Sequence, residues 1–488
     1  MGLPLFDVAT LRTVEADAAK ALRPGALMQR AGAAAARQIA QHLGTTPKTV
    51  AIVCGAGNNG GDGYTCALEL AQRGHRVECA ALAPPAADDA RAAAAAWRAS
   101  GGTVRDGIDR ATNYDAVVDA MFGIGLSRPL EGAFATAAEW INAQRAGSRI
   151  ALDVPSGLDA DRGSWVGGKP GVTADQTITF LGAKPGLFTG AGCDAAGAVL
   201  VESIGVELPQ AQLRLTDRTD FAQICRPRAR DSHKGDYGNV GVIGGGIGMV
   251  GAPLLAARAA LRMGAGRVFV ECIGAPDLQF DPLYPELMLR SVRSLERLDA
   301  VVIGCGLGAD SNANAALEWA LAAPCPAVFD ADALNLLARE AALRETLRRR
   351  EAASVLTPHP LEAARLLQTT AQEVQADRVD CARRLAHETT ATVVLKGAGT
   401  VTALPDGRAW INSTGSPALA TPGSGDVLGG MIGALLAQPF TPLEATLAAA
   451  WLHGAAADRF GGDVGLVAGE IAARAATCLA ELRREPST

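Results

Sequence analysis

A short apolar β-branched run, stopped by a glycine or an aspartate and followed by a helix-forming stretch, recurs along this chain. It limits the fold more than any other feature. Thr49–Cys54 stops at Gly55, and Asn59–Arg73 then reads as a glycine-rich turn opening a helix. Val77–Leu82 is a second strand, Ala86–Ser100 a helix, and Tyr114–Asp119 and Arg149–Asp153 are further strands. The second half starts afresh with strands at Asn239–Gly244, Arg267–Cys272, Asp299–Gly304, Ala327–Asp330, Ser354–Thr357 and Thr392–Lys396. Helices are expected at Gly251–Met263, Ala333–Ala338, Gly425–Ala437 and Pro442–Phe460. Strands that alternate with helices must lie parallel, because each helix returns the chain to the same sheet edge. The chain of 488 residues is too long for one such core. The polar stretch Pro209–Asp220 is read as a linker near residue 215, which separates a domain over 1–215 from one over 220–488. No internal repeat relates the halves.

Composition narrows the function. Apolar residues make up 49% and charged residues 20%, a globular balance. Net charge is −6 and aromatics only 4%, which argues against nucleic acid as a partner. No run of about 20 apolar residues could span a membrane, and the N-terminus lacks the pattern of a signal peptide. The ten cysteines form no CxxC pair and read as small buried hydrophobes in a reducing compartment, so a cytoplasmic location is expected. Lysines number only six, so Lys234 and Lys396, each beside a glycine, are candidates for roles arginine cannot fill.

The first candidate site is the glycine-rich turn Cys54–Tyr64. It follows a strand and opens a helix, where unpaired amides face any anion. Its Asn-Asn-Gly-Gly-Asp core differs from the dinucleotide fingerprint, which disfavours an ordinary NAD dehydrogenase. Asp119 and Asp153 each close a strand, and in a doubly wound sheet all three loops meet at one edge. The second candidate is Asn412–Leu428. Its Gly423–Asp426 segment enters an apolar helix as an anion hole, with Asp426 placed as a base for a hydroxyl.

These motifs carry a specific resemblance. GAGNNGGDG at Gly55–Gly63, DAMFGIGLSRP at Asp119–Pro129, DVPSGLDADRG at Asp153–Gly163 and the upstream Ala26–Gly32 resemble the NAD(P)H-hydrate epimerase family, over residues 1 to about 215. The resemblance implies that Asn58, Asn59, Gly60, Gly61 and Asp62 bind the hydrated dinucleotide, along with Gly123, Ile124, Gly125, Leu126, Ser127, Arg128 and Pro129. It implies that Asn59, Asp119 and Ser156 hold potassium, for which an oxygen-only donor set is suitable. It makes Asp153 the catalytic acid/base.

The second half resembles the ribokinase-like fold and, more narrowly, the ADP-dependent NAD(P)H-hydrate dehydratases, over about residues 220–485. The matches are His233–Gly238, Gly304–Gly308, Asp330–Asn335, Thr357–Glu362, Lys396–Thr400 and Asn412–Leu428. The resemblance implies that Lys396, Gly397, Ala398, Gly399, Thr400 and Gly425 bind the adenylate. Ala252, His359 and Asp426 would contact the hydrated ring, together with either Gly306 or Gly308. Asp426 would be catalytic, and magnesium would accompany ADP. The expected enzyme is therefore bifunctional. An isomerase domain interconverts the hydrates of NADH and NADPH, and a lyase domain dehydrates the S form at the expense of ADP. A homo-oligomer is expected from the family. Two other readings remain at this stage: a ribokinase-like small-molecule kinase fused to a nucleotide-binding domain, and a non-catalytic nucleotide sensor.

Overall fold

The computed structural model describes residues 2–108, 112–144 and 147–484. Two compact units divide them, one over Pro4–Ala211 and the other from Gln212 onward with residues 2 and 3.

The first unit is a parallel sheet flanked by helices. Its strands are β1 (Thr49–Cys54), β2 (Arg76–Ala81), β3 (Thr103–Arg105), β4 (Ala116–Ala120), β5 (Ser148–Leu152), β6 (Gln176–Phe180) and β7 (Ala198–Glu202). Their spatial order is β3-β2-β1-β4-β5-β6-β7, every neighbour parallel. The runs are continuously apolar because both sheet faces are covered; Val50, Ile52, Val117 and Val118 are fully buried. The order reverses between β1 and β4, where Val53 is in register with Asp119. A crevice must open beyond the carboxyl ends there, because successive helices leave toward opposite faces. Around it lie α1 (Val8–Ala21), α2 (Ala26–Leu43) and α3 (Asn58–Gln72).

The second unit is built on β8 (Leu213–Leu215), β9 (Asn239–Gly244), β10 (Arg267–Cys272), β11 (Met288–Leu289), β12 (Ala300–Ile303), β13 (Ala327–Phe329), β14 (Ser354–Leu356), β15 (Thr392–Leu395), β16 (Val401–Ala403) and β17 (Ala409–Ile411). The order is β8-β17-β16-β15-β14-β13-β12-β9-β10-β11. Pairing is parallel except on the two sides of β16, which is antiparallel to β15 and β17. Helices α4 (Gly251–Arg262), α5 (Pro360–Leu367), α6 (Ser424–Leu436), α7 (Pro442–Asp458) and α8 (Ala468–Leu482) include those that cover the sheet and line the site. The helix over Ser424–Leu436 is apolar almost all round, which fits its burial in the core.

The polar stretch Pro209–Asp220 holds more order than a linker. Leu213–Leu215 pairs with Ala409–Ile411, and Arg218–Phe221 forms a capped single turn. Alternation of polar and apolar residues over three positions is too short to be recognised as a strand without its partner. Of the ten free cysteines, Cys193 is exposed and Cys225 half-buried, so the reading of all as buried hydrophobes holds only for the other eight.

Candidate active sites

In the first unit a cavity of 730 Å³ opens at the β1/β4 crevice. The turn after β1 delivers Asn58, Asn59 and Asp62 to its wall within the first turn of α3; Gly60 and Gly61 lie buried behind them. The turn after β4 delivers Gly123, Ile124 and Gly125, whereas Leu126, Ser127, Arg128 and Pro129 run on past the cavity. Asp153, just beyond β5, is a wall residue with φ of 66°, an uncommon conformation for a residue with a side chain. Its Oδ2 accepts from the amide of Ile124 at 3.2 Å. A side chain at position 123 would bring a Cβ within 2.4 Å of that same oxygen, so only glycine allows this approach.

The other oxygen of Asp153 accepts from Lys184 Nζ. Lys184 is almost wholly buried and also donates to Thr179 Oγ1 at 2.8 Å and to the carbonyl of Phe180 at 2.7 Å. Sequence reasoning passed over Lys184, although a lysine two residues beyond a strand-end turn, in a chain with so few, was the available signal. Glu15 on α1 was also missed, and it too faces the cavity. Burial first, then the Asp153 charge, pushes the Glu15 carboxyl up. The same causes, with Glu15 added, push Asp62 well above the carboxylate range.

Asp119, within β4, is fully buried. Its carboxylate accepts from Ser156 Oγ at 2.7 Å, the Ser156 amide at 2.8 Å and the Met121 amide at 3.1 Å. Burial nevertheless pushes the group up to about 6, against the lowering by those donors. No cationic side chain among the described residues pairs with it. Asn59 is buried, and neither Oδ1 nor Nδ2 has a partner. An orphaned amide oxygen and a buried carboxylate with no cationic partner are donor types that suit a cation held by oxygens.

In the second unit Asp426 sits in the first turn of α6. A carboxylate oxygen of Asp426, Cys305 Sγ and an Asp330 oxygen lie within 4.8 Å of one another. Lys396 Nζ donates to Asp330 Oδ1 at 2.7 Å, and Thr357 Oγ1 donates to the same oxygen at 2.7 Å. An ammonium thus already stands at one oxygen of the Asp330 carboxylate. Burial, then the Asp330 charge, pushes Asp426 up to about 6. Burial works against the Lys396 charge, but Asp330 and Glu362 outweigh it and raise the ammonium.

The loops named from sequence converge here. A Cβ at Gly425 would lie 3.1 Å from Lys396 Nζ, which puts the start of α6 beside the Lys396–Thr400 turn. Lys396 donates its amide to the Pro358 carbonyl at 2.9 Å, joining that turn to His359. A Cβ at Gly306 would lie 3.2 Å from the Ala252 side chain, whereas Gly308 gives its amide to Asp332 at 2.8 Å. Gly306 is therefore the glycine brought against Ala252.

His359 caps α5. Its Nδ1 accepts from the Leu361 amide at 3.1 Å, which leaves the ring proton on Nε2, 3.3 Å from Glu362 Oε1. Nδ1 is engaged within its own helix turn, and burial, then Lys396, holds the imidazole below its ordinary value. Glu362, by contrast, is pushed up to about 7 by burial. His453 was not anticipated. It is buried, bonded to the Ser424 carbonyl at 2.9 Å, and pushed down to about 4 by burial, so it steadies the start of α6 as a neutral ring. His233 and Lys234 begin a one-turn helix capped by the His233 and Asp236 side chains, an ordering role for His233 in that loop.

Comparison with known proteins agrees with this layout. The family described as YjeF-related protein N-terminus matches residues 24–186, and the NAD(P)H-hydrate dehydratase family matches residues 240–476. The bifunctional NAD(P)H-hydrate repair enzyme Nnr of Escherichia coli K12 is 37% identical over 89% of this chain and 86% of its own length. The ADP-dependent (S)-NAD(P)H-hydrate dehydratase of Neisseria meningitidis serogroup B is 48% identical over 52% of this chain and 88% of its own length. Among solved structures, a ribokinase-like superfamily protein from Enterococcus faecalis V583 aligns with TM-score 0.50 and 26% identity, covering 57% of this chain and 99% of that one.

Proposed function

The chain belongs to the bifunctional NAD(P)H-hydrate repair enzymes, and from that premise we propose how its two sites divide the reaction. The enzyme is an isomerase and a lyase: it epimerises hydrated NADH and NADPH and dehydrates the S-hydrate in an ADP-dependent step. We assign the first activity to the domain over 1–215 and the second to that over 220–488.

In the first site Asp153 is the acid/base group. Lys184 Nζ donates to one of its oxygens, while burial, then the Asp153 and Glu15 charges, pushes the nearby Asp62 carboxyl well above the carboxylate range. Two carboxyls with opposed environments in one cavity give a proton acceptor and a proton donor. The donor assists departure of the hydroxyl from the ring carbon, and return of oxygen to the other face inverts that carbon. Asn58, Asn59, Gly123, Ile124 and Gly125 position the dinucleotide. Asn59, Asp119 and Ser156 would hold potassium, which would supply a fixed positive charge to the site.

In the second site Asp426 takes the proton from the ring hydroxyl. The terminal phosphoryl of ADP passes to that oxygen, leaving AMP. The C–O bond then breaks with phosphate as leaving group, and loss of a proton from the adjacent ring carbon restores the double bond. Lys396–Thr400 and Gly425 bind the nucleotide, and Ala252, Gly306 and His359 seat the ring. The amides at the start of α6 stabilise charge on the transferring group. Magnesium would accompany the nucleotide and neutralise its phosphates. His359 Nδ1 is committed to its helix cap, so we give His359 the role of seating the ring, and Asp426 carries the proton.

The observation that carries this reading is the half-buried Asp426 carboxyl beside the Lys396–Asp330 pair. Both hydrates are supplied with ADP, and return of the reduced-ring absorbance is followed. Full recovery of both epimers is expected; phosphorylated product accumulating from simple alcohols and ATP, without recovery, would instead support a kinase. Assembly as a homo-oligomer and a cytoplasmic location complete the proposal; ten free cysteines suit a reducing compartment.

A further inference from the structure

We propose that the second unit carries another anion site, a cavity of 510 Å³ walled by Arg228, Arg262, Arg483 and Arg484, which takes a phosphate group. The cavity lies where the segment around Pro227 meets the end of α4 and the end of α8. None of its wall residues belongs to the sites above.

Two of the four guanidinium groups are built in. Arg228 is half-buried, lies over the Tyr237 ring at 3.5 Å, and donates to the Gly264 carbonyl at 2.6 Å and to Gln438 Oε1 at 2.8 Å. Gln438 is itself buried and donates to the Ala434 carbonyl at 2.8 Å. Gly264 has φ of +86°, and a Cβ there would lie 2.4 Å from the guanidinium, so the glycine makes the seat. Arg483 donates through Nε and Nη2 to the Ile224 carbonyl, each at 3.1 Å. Arg262 and Arg484 are exposed, and Arg262 reaches only the Tyr284 hydroxyl, at 3.2–3.3 Å.

Among the described residues, this cavity lacks negative charge. No carboxylate is among its wall residues, and none of the four arginines makes an ion pair with a described residue. Arg228 Nε is buried without a partner. Burial, then the neighbouring Arg483 charge, holds the Arg228 guanidinium below its ordinary range, and burial does the same to Arg483. Carbonyls fix the direction of these groups but do not neutralise them. Another cavity of similar size, around Arg349 and Arg350, makes the contrast: Glu345 and Glu351 line it, so its charge is balanced within the chain. Four arginines on the wall of one cavity suit a tetrahedral dianion, since the guanidinium fork pairs with phosphate oxygens. The phosphate belongs either to free inorganic phosphate or to a nucleoside diphosphate.

The test uses the full chain and Arg262→Gln/Arg484→Gln, which removes only exposed side chains. Inorganic phosphate and ADP are titrated separately by calorimetry into both proteins, with dehydration of the S-hydrate as the check on folding. If free phosphate is the ligand, its affinity falls at least tenfold in the variant while ADP stoichiometry stays at one per chain. If the nucleotide is the ligand, ADP stoichiometry falls from two per chain to one. Identical titrations of both ligands in the two folded proteins would overturn the proposal.

Discussion

Each half of this chain buries a lysine against an aspartate at the carboxyl edge of a parallel sheet, yet the two pairs serve differently. In the first unit Lys184 bonds to Asp153, the carboxyl that faces the cavity. In the second, Lys396 bonds to Asp330, and the proposed base is the neighbouring Asp426. The first arrangement puts the ammonium directly on its reacting carboxyl. The second leaves the reacting carboxyl to be pushed up to about 6 by burial and by Asp330. One pair therefore contains the reacting group, and the other sets the field around it. A buried charge is tolerated only when paired, so the pair is the common solution, and the chemistry depends on which carboxyl is left over.

The strongest way to break that comparison is to neutralise each reacting carboxyl. Asp426→Asn keeps the size of the side chain but removes the base. Dehydration of the S-hydrate should fall by about 10²–10⁴-fold, the usual worth of a positioned general base. ADP should still bind, and epimerisation should continue. Asp153→Asn should do the reverse. If Asp426→Asn dehydrates at nearly the normal rate while binding ADP, another group takes the proton.

Removing the cation comes next. Lys184→Met should cost the first unit about 3–5 kcal/mol, because it strands a buried carboxylate, and epimerisation should fall with it. Denaturant unfolding of the variant measures the loss. A change below 1 kcal/mol would mean that Asp153 is not held by Lys184. For Asp119→Ala the expected outcome concerns ions: epimerisation weakens and no longer responds to potassium. A titration curve matching the wild type would remove Asp119 from the ion site.

The pH dependence should separate the halves as well. Asp426 acts as a carboxylate, and its value near 6 lies above that of a free aspartate. Dehydration should then climb about tenfold per pH unit below 6 and level off above it. In Asp426→Asn the residual rate should lose this limb. Persistence of the limb in the variant would assign it to another group.

How much of this was legible in the sequence depends on the range of the interaction. Strands such as Asn239–Gly244 and Arg267–Cys272 coincide with their expected bounds, because a buried parallel strand carries its own apolar pattern. Asp119, Asp153 and Asp426 were legible as candidates because each ends a strand or opens a helix with a glycine-rich turn. Lys184, Glu15 and His453 were not, since each acts through a partner distant in sequence and none lies in a turn that announces an anion site. Leu213–Leu215 was missed for the same reason: its ordering depends on Ala409–Ile411, almost two hundred residues away.

That strand yields the smallest and most local prediction. Fragments beginning at residues 212 and 220 should both dehydrate the S-hydrate alone and leave the R-hydrate to spontaneous epimerisation. The shorter fragment, however, loses β8 and with it the bonds from Ala409 to the Gln212 carbonyl at 3.0 Å and from Thr216 to the Ile411 carbonyl at 2.9 Å. Each is worth about 0.5–1.5 kcal/mol. It also exposes β17 as a bare edge, open to pairing with other chains. The fragment from 212 should therefore melt a few degrees higher, at about 2–4 °C per kcal/mol for a domain of this size, and should aggregate less. Equal melting temperatures would show that β8 adds nothing to the second unit. A fragment from 212 that is folded yet inactive would show that the dehydratase site needs the first unit, and the division of labour between the two lysine–aspartate pairs would then fail.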